Sequence, residues 1–172
     1  MLTASTTLVL QMEVPFAQSL ALAQRVQRSG GRVIWNCAPV PDGFSAAAAS
    51  ALLAASEVLV VNEHEAADIA AILEQPSTGP GGLSRSTATN CIVTASAEGA
   101  FAYTPAGETI HVPAPRIEPV DTTGAGDTFV GAVAMALDEG LELAQALDLG
   151  CRAAATTCLA QGAQAGMPLR RF

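Results

Sequence analysis

Residues 32–62 read RVIWNCAPVPDGFSAAAASALLAASEVLVVN, and this stretch decides the fold class. Arg32-Val33-Ile34-Trp35-Asn36 is a strand pattern, bounded by Gly30-Gly31 on one side and the turn Ala38-Pro39-Val40-Pro41 on the other. The Ala-rich segment Ser45 to Ala55 predicts a helix. It leads into a second apolar strand, Val58-Leu59-Val60-Val61-Asn62. Strand, helix, strand is the unit that joins neighbouring parallel strands.

The same alternation extends in both directions. Leu8 to Met12 is strand-like and ends before Pro15. Phe16 to Arg28 carries Phe16, Leu20, Ala23 and Val26 at helical spacing, and Gly30-Gly31 stops it. Downstream, Glu63 to Leu73 predicts a helix. Gln75 to Asn90, rich in Pro, Gly, Ser and Thr, predicts a loop. Cys91 to Thr94 is a further strand, and Phe101–Tyr103 with Thr109–Val112 predicts a hairpin around Pro105 to Glu108. Pro113 to Pro119 reads as extended, followed by helices near Gly126–Asp138 and Leu143–Ala160. The expectation is an α/β fold on a mainly parallel sheet, with no internal repeat. Such sheets hold ligands beyond the carboxyl ends of their strands, which here carry Asn36, Asn62 and Thr94.

With 172 residues the chain is long enough for one domain spanning 1–172. A hydrophobic share of 50% excludes a disordered chain. Sixteen acidic against 8 basic residues give a net charge of −8, which argues against a nucleic-acid partner, since a phosphate backbone is met by a basic face. A small anion is still compatible, because a few local N–H groups can hold it. No apolar run reaches the roughly 18 residues of a membrane span. The N-terminus lacks the basic start of a signal peptide, so a cytoplasmic protein is expected. Cys37, Cys91, Cys151 and Cys158 form no C-x-x-C pair and read as buried thiols. His64 and His111 have no partner at ligand spacing, and Trp35 reads as core.

The chemistry concentrates in Val120-Asp121-Thr122-Thr123-Gly124-Ala125-Gly126-Asp127-Thr128-Phe129. Two glycines flank Ala125 where a loop becomes a helix, so backbone N–H groups can converge on an anion without a Cβ in the way. The helix N-terminus adds about half a positive charge. Asp127 falls in the first helical turn, beside that cradle, where a carboxylate can take a proton from a hydroxyl. An Asp in that place can equally serve only to complement the helix dipole.

This stretch resembles the signature D-T-x-G-A-G-D-x-F of the ribokinase-like (PfkB) family of carbohydrate kinases. Further segments agree in the family's order. Leu10-Gln11-Met12-Glu13-Val14-Pro15 resembles L-Q-x-E-x-P, and Asn36-Cys37-Ala38-Pro39 resembles N-P-A-P. Asn62-Glu63-His64-Glu65-Ala66 resembles N-E-x-E-A, and Gly162-Ala163-Gln164-Ala165-Gly166-Met167-Pro168 resembles the G-A-Q-x-S-x-P of the ribokinase members. The implied fold is a three-layer α/β/α sandwich. The implied reaction moves the γ-phosphoryl of ATP to a sugar hydroxyl, with ribose favoured.

The resemblance makes Asp127 the catalytic base and the N–H groups of Gly124, Ala125 and Gly126 the anion hole. It places Asn62 and Glu65 around the ATP phosphates and the Mg2+ water network. Thr94 and Gly99 match the nucleotide loop T-x-G, but Ser96 stands where the family has its first glycine. A monovalent cation, K+, would be held by Asp121 and the carbonyls of Thr123, Thr157, Ala160 and Gly162. Gly166 replaces the usual Ser there and removes one oxygen.

The resemblance begins inside the family's sequence. The preceding part, with its sugar-holding residues, its first strands and its β-lid, has no counterpart here, so the implied fold is incomplete. Two expectations follow. The first strand is an open apolar edge, and the chain self-associates or takes a partner carrying the missing strands. An active kinase half, a nucleotide-binding module without catalysis and an inactive fragment are the alternatives.

Overall fold

The computed structural model describes residues 1–74 and 79–169. The described residues divide into two compact units, one drawn from 1–94 and 101–110, the other from 95–100 and 111–169. The first unit holds almost all of a six-stranded sheet in the order β1-β2-β3-β4-β5-β6. The strands are β1 (Thr7–Leu10), β2 (Arg32–Asn36), β3 (Val58–Asn62), β4 (Asn90–Thr94), β5 (Ala100–Tyr103) and β6 (Thr109–Val112). β1 to β4 are parallel, in a register that sets Leu10 beside Trp35, Trp35 beside Leu59 and Asn62 beside Thr94. The short turn between β5 and β6, closed by Thr104 N–H to the Glu108 carbonyl at 3.0 Å, makes that pair antiparallel.

Three crossovers carry α1 (Phe16–Arg28), α2 (Ala46–Ala54) and α3 (Glu63–Ile72). Each starts as its sequence dictates. Pro15 precedes α1, Ser45 accepts from Ala48 N–H at 3.2 Å to cap α2, and Asn62 caps α3. The core of this unit gathers Val26, Val33, Trp35, Leu52, Leu53, Leu59 and Ile69, all at or near full burial. Trp35 is core as expected; its ring lies 5.7 Å from that of Phe16, and its indole N–H points at the Met12 sulfur. β1 occupies the sheet edge, with Val9 40% exposed, as the open apolar edge required. All four cysteines are free and buried.

One expectation fails. Residues 79–87 form a helix, α4 (Gly79–Thr87), where a loop was expected; of the rest of that expected loop, 88 and 89 lead into β4 at Asn90, and 75–78 lie outside the described residues. Gly and Pro lower intrinsic propensity, but tertiary anchoring overrides it. Leu83 and Ser84 are fully buried. The Ser84 hydroxyl lies 2.7 Å from the Thr89 carbonyl and 2.8 Å from that of Tyr103, and Thr87 Oγ1 donates to the Leu83 carbonyl.

The second unit contains α5 (Ala125–Asp138) and α6 (Leu143–Thr157). Phe129, Val133, Leu137, Ala146 and Leu147 are among its buried side chains. α6 stops at Thr157, short of Ala160. The Cys158 carbonyl is taken by the N–H groups of Val120 and Asp121 at 2.8 and 3.3 Å, which ties the strand-like approach to α5 onto the end of α6. Among the described residues no helix is long and apolar enough to cross a membrane.

Candidate functional site

In the second unit, Gly124 is the N-cap of α5 and sits at φ +79, in the left-handed region. No side-chain hydrogen bond caps this helix. Glycine is required twice over here. Its φ disfavours any L side chain, and an added Cβ would come within 2.6 Å of the Ala163 carbonyl oxygen. Gly126 is different, since a Cβ there would meet nothing within 4 Å. Of the three expected anion-hole donors, Ala125 N–H bonds the Thr122 carbonyl at 3.2 Å. Asp127 is exposed, in the first turn, two residues past Ala125.

Asp121 holds this turn together. One carboxylate oxygen accepts from Thr123 Oγ1 at 2.7 Å and from Thr123 N–H at 2.9 Å; the other accepts from Gly162 N–H at 2.8 Å. These donors, the Thr123 hydroxyl first, bring its pKa down to about 2. The Asp121 carboxylate therefore stays ionised, and it joins the loop before α5 to the loop after α6. A permanent anion beside backbone turns suits a monovalent cation, and Thr123 and Gly162 adjoin it. The Thr157 carbonyl accepts from Ala160 N–H at 3.3 Å. A Cβ added at Gly166 would crowd that carbonyl, so a Ser could not stand at 166 without a shift.

In the first unit, Asn62 and Glu65 form a reciprocal capping box. Asn62 Oδ1 accepts from Glu65 N–H at 2.9 Å, and Glu65 Oε2 accepts from Asn62 N–H at 2.7 Å. Burial is the main reason the Glu65 carboxyl titrates above its ordinary range, with the Asn62 N–H pulling the other way. The pair therefore has a structural job. A carboxylate still has lone pairs beyond the one this N–H uses, and partial burial makes it receptive to positive charge. Thr94 ends β4, half-buried, with its hydroxyl 3.4 Å from the Val61 carbonyl.

Ser96 and Gly99 belong to the second unit, in the turn after β4. Ser96 adopts φ +48, in the left-handed region, at a cost in strain. Gly99 is at φ +96, and a Cβ there would lie 2.0 Å from the Val112 carbonyl oxygen. His111 closes the same turn through Nε2, 2.9 Å from the Glu98 carbonyl. The sequence offered no signal for that contact, nor for the buried hydroxyls of Thr128 and Thr157 that meet behind Asp127.

Residues 2–170 match the pfkB family of carbohydrate kinases. The chain is 31% identical over 165 residues to a ribokinase of Lactococcus lactis, covering 95% of this chain and 51% of that protein. It is 30% identical to a ribokinase of Schizosaccharomyces pombe, with 94% and 51% covered. Thermotoga maritima ribokinase superposes with a TM-score of 0.81 at 30% identity, over 94% of this chain and 53% of that one. Arabidopsis thaliana ribokinase, solved with ribose and ATP, also gives 0.81, at 27% identity over 94% and 52%. The fold is thus a partial ribokinase fold, and the chain spans about half the length of the curated relatives it matches. By this match across nearly its whole length, the chain belongs to the pfkB family of carbohydrate kinases.

Proposed function

We propose that residues 1–172 are the C-terminal, nucleotide-holding portion of an ATP-dependent carbohydrate kinase domain, acting in the cytoplasm. The observation that carries this reading is the left-handed Gly124 opening α5 with Asp127 in its first turn, inside a family match over residues 2–170. Phosphoryl transfer asks mostly for positioning and charge stabilisation. In this reading the N–H groups of Gly124 and Gly126 meet the transferring phosphoryl, aided by the helix dipole. Ala125 N–H joins them by giving up its bond to Thr122. Asp127 takes the proton of the acceptor hydroxyl, a role worth about 10²–10⁴-fold.

ATP is the donor and a sugar the acceptor, with ribose favoured by the ribokinase relatives. Thr94, Ser96 and Gly99 belong to the stretch that the family resemblance assigns to nucleotide binding. Among the described residues no three His, Cys, Asp or Glu side chains form a metal cluster. Mg2+ would therefore arrive on the ATP phosphates, with Asn62 and Glu65 facing its water shell. K+, which supplies fixed positive charge beside an anion hole when bound, would rest on Asp121 and the carbonyls of Thr123, Thr157, Ala160 and Gly162. The sugar-holding portion would come from a partner chain or a further segment aligned along the free edge of β1.

The test is ribose-dependent release of ADP from Mg·ATP, measured for the chain alone and with a polypeptide carrying the first half of a ribokinase domain. The expected result is ribose-dependent turnover in the mixture, reduced at least about 10²-fold in Asp127→Asn. Turnover independent of Asp127, or none in any mixture although both parts are folded, would overturn the proposal.

A further inference from the structure

Thr128 follows Asp127 directly, and Thr157 ends α6. Their hydroxyl oxygens lie 3.0 Å apart, and Thr157 Oγ1 is also 3.2 Å from the Ala153 carbonyl. Thr157 is 0% exposed and Thr128 9%. A hydroxyl has one proton, so both contacts are met together only when one proton serves the carbonyl and the other serves the fellow hydroxyl. Two buried hydroxyls are costly unless bonded, and Thr is a modest helix former. Val has the same shape and a similar helix propensity without the cost of a buried hydroxyl, so packing alone does not call for Thr at both places.

The other links around this turn act on loops. Asp121 ties to Gly162, and Val120 ties to Cys158. The Thr128–Thr157 bond is a link between the helices themselves, one residue from Asp127. We propose that this hydroxyl pair is a positioning device: it fixes the first turn of α5 against the end of α6, and so sets how well Gly124 to Asp127 receive a nucleotide's terminal phosphate. Neither residue is a catalytic residue, and the proposal rests on the kinase reading given above.

The test uses the whole chain with Thr128→Val, Thr128→Ser, Thr157→Val, Thr157→Ser and the double Val variant, which leaves no orphaned hydroxyl. Two quantities are read at a temperature where all are folded: the affinity for Mg·ADP, and amide exchange at 124–127 in the ligand-free chain. Each Val variant should weaken Mg·ADP about tenfold, the worth of one hydrogen bond, and speed exchange at 124–127 by about as much. The Ser variants should restore both to within about twofold. The double variant should fold and show the same weakened affinity, not the product of two losses. Val variants that melt earlier yet bind and exchange like the original would overturn the proposal, as would Ser variants that fail as Val does. If the unaltered chain binds no Mg·ADP, the kinase reading fails by itself. The exchange measurement still decides whether the pair holds the turn.

Discussion

Replacing Gly124 by Ala tests the geometry of the α5 cap more sharply than any change to a charged residue. The φ of +79 costs an L residue about 1–2 kcal/mol. The new Cβ would also lie 2.6 Å from the Ala163 carbonyl oxygen and 3.0 Å from its Cα, both backbone atoms that cannot swing aside. Crowding of that kind adds about 1–3 kcal/mol. The sum, about 2–5 kcal/mol, is a large share of an ordinary domain's stability. It corresponds to a fall in Tm of roughly 4–20 °C. Gly126→Ala is the internal control: nothing lies within 4 Å of its Cβ position, and the residue is already helical. There Ala should hold stability or raise it by up to about 1 kcal/mol. Calorimetry of the two variants reads the difference directly. A Gly124→Ala protein as stable as Gly126→Ala would refute the left-handed cap and its contact with the loop after α6.

Other outcomes follow from the same structure. Ser96→Gly should release left-handed strain at φ +48 and raise stability by about 0.5–1 kcal/mol, read from urea midpoints. Asp121 titrates near 2 when folded against 3.8 ordinarily, so it stabilises the fold above pH 3.8 and ceases to as pH falls through about 2. The stability gap between the unaltered chain and Asp121→Asn should therefore close across that window. Glu65 has the opposite sign: its folded carboxyl lies above 4.5, so its contribution is present below pH 4.5 and is lost as pH rises through the folded value. Glu65→Gln retains an oxygen for the Asn62 N–H, and should flatten the stability profile on that alkaline side.

What could be read from the sequence followed from local rules. The strand Arg32–Asn36, the helix after Ser45 and the strand Val58–Asn62 each depend on neighbours a few positions away, and each was legible. So was the turn into α5, because glycines flanking Ala125 leave few alternatives. α4 was not legible. Its helix exists because Leu83 and Ser84 are buried against Thr89 and Tyr103, and Gly79-Pro80-Gly81-Gly82 argues for a loop until that contact is known. Ser96 was not legible either: its backbone takes up φ +48, in the left-handed region, which a serine gives no reason to expect. The reach of Asp121 to Gly162 spans 41 positions, and no spacing rule marks a carboxylate as a clamp between two loops. The Asn62–Glu65 box was visible as a motif, but its structural half emerged only from the paired hydrogen bonds.

If this portion of a pfkB-family domain holds a nucleotide by its phosphates, nucleotide must stabilise its fold. The most direct measurement is a thermal melt of the purified chain in potassium buffer, with and without Mg·ADP. At a nucleotide concentration 100 times its dissociation constant, the folded state should gain about 2.7 kcal/mol, an upward shift of several degrees. A cooperative melt that stays in place as Mg·ADP is raised into the millimolar range would contradict the account.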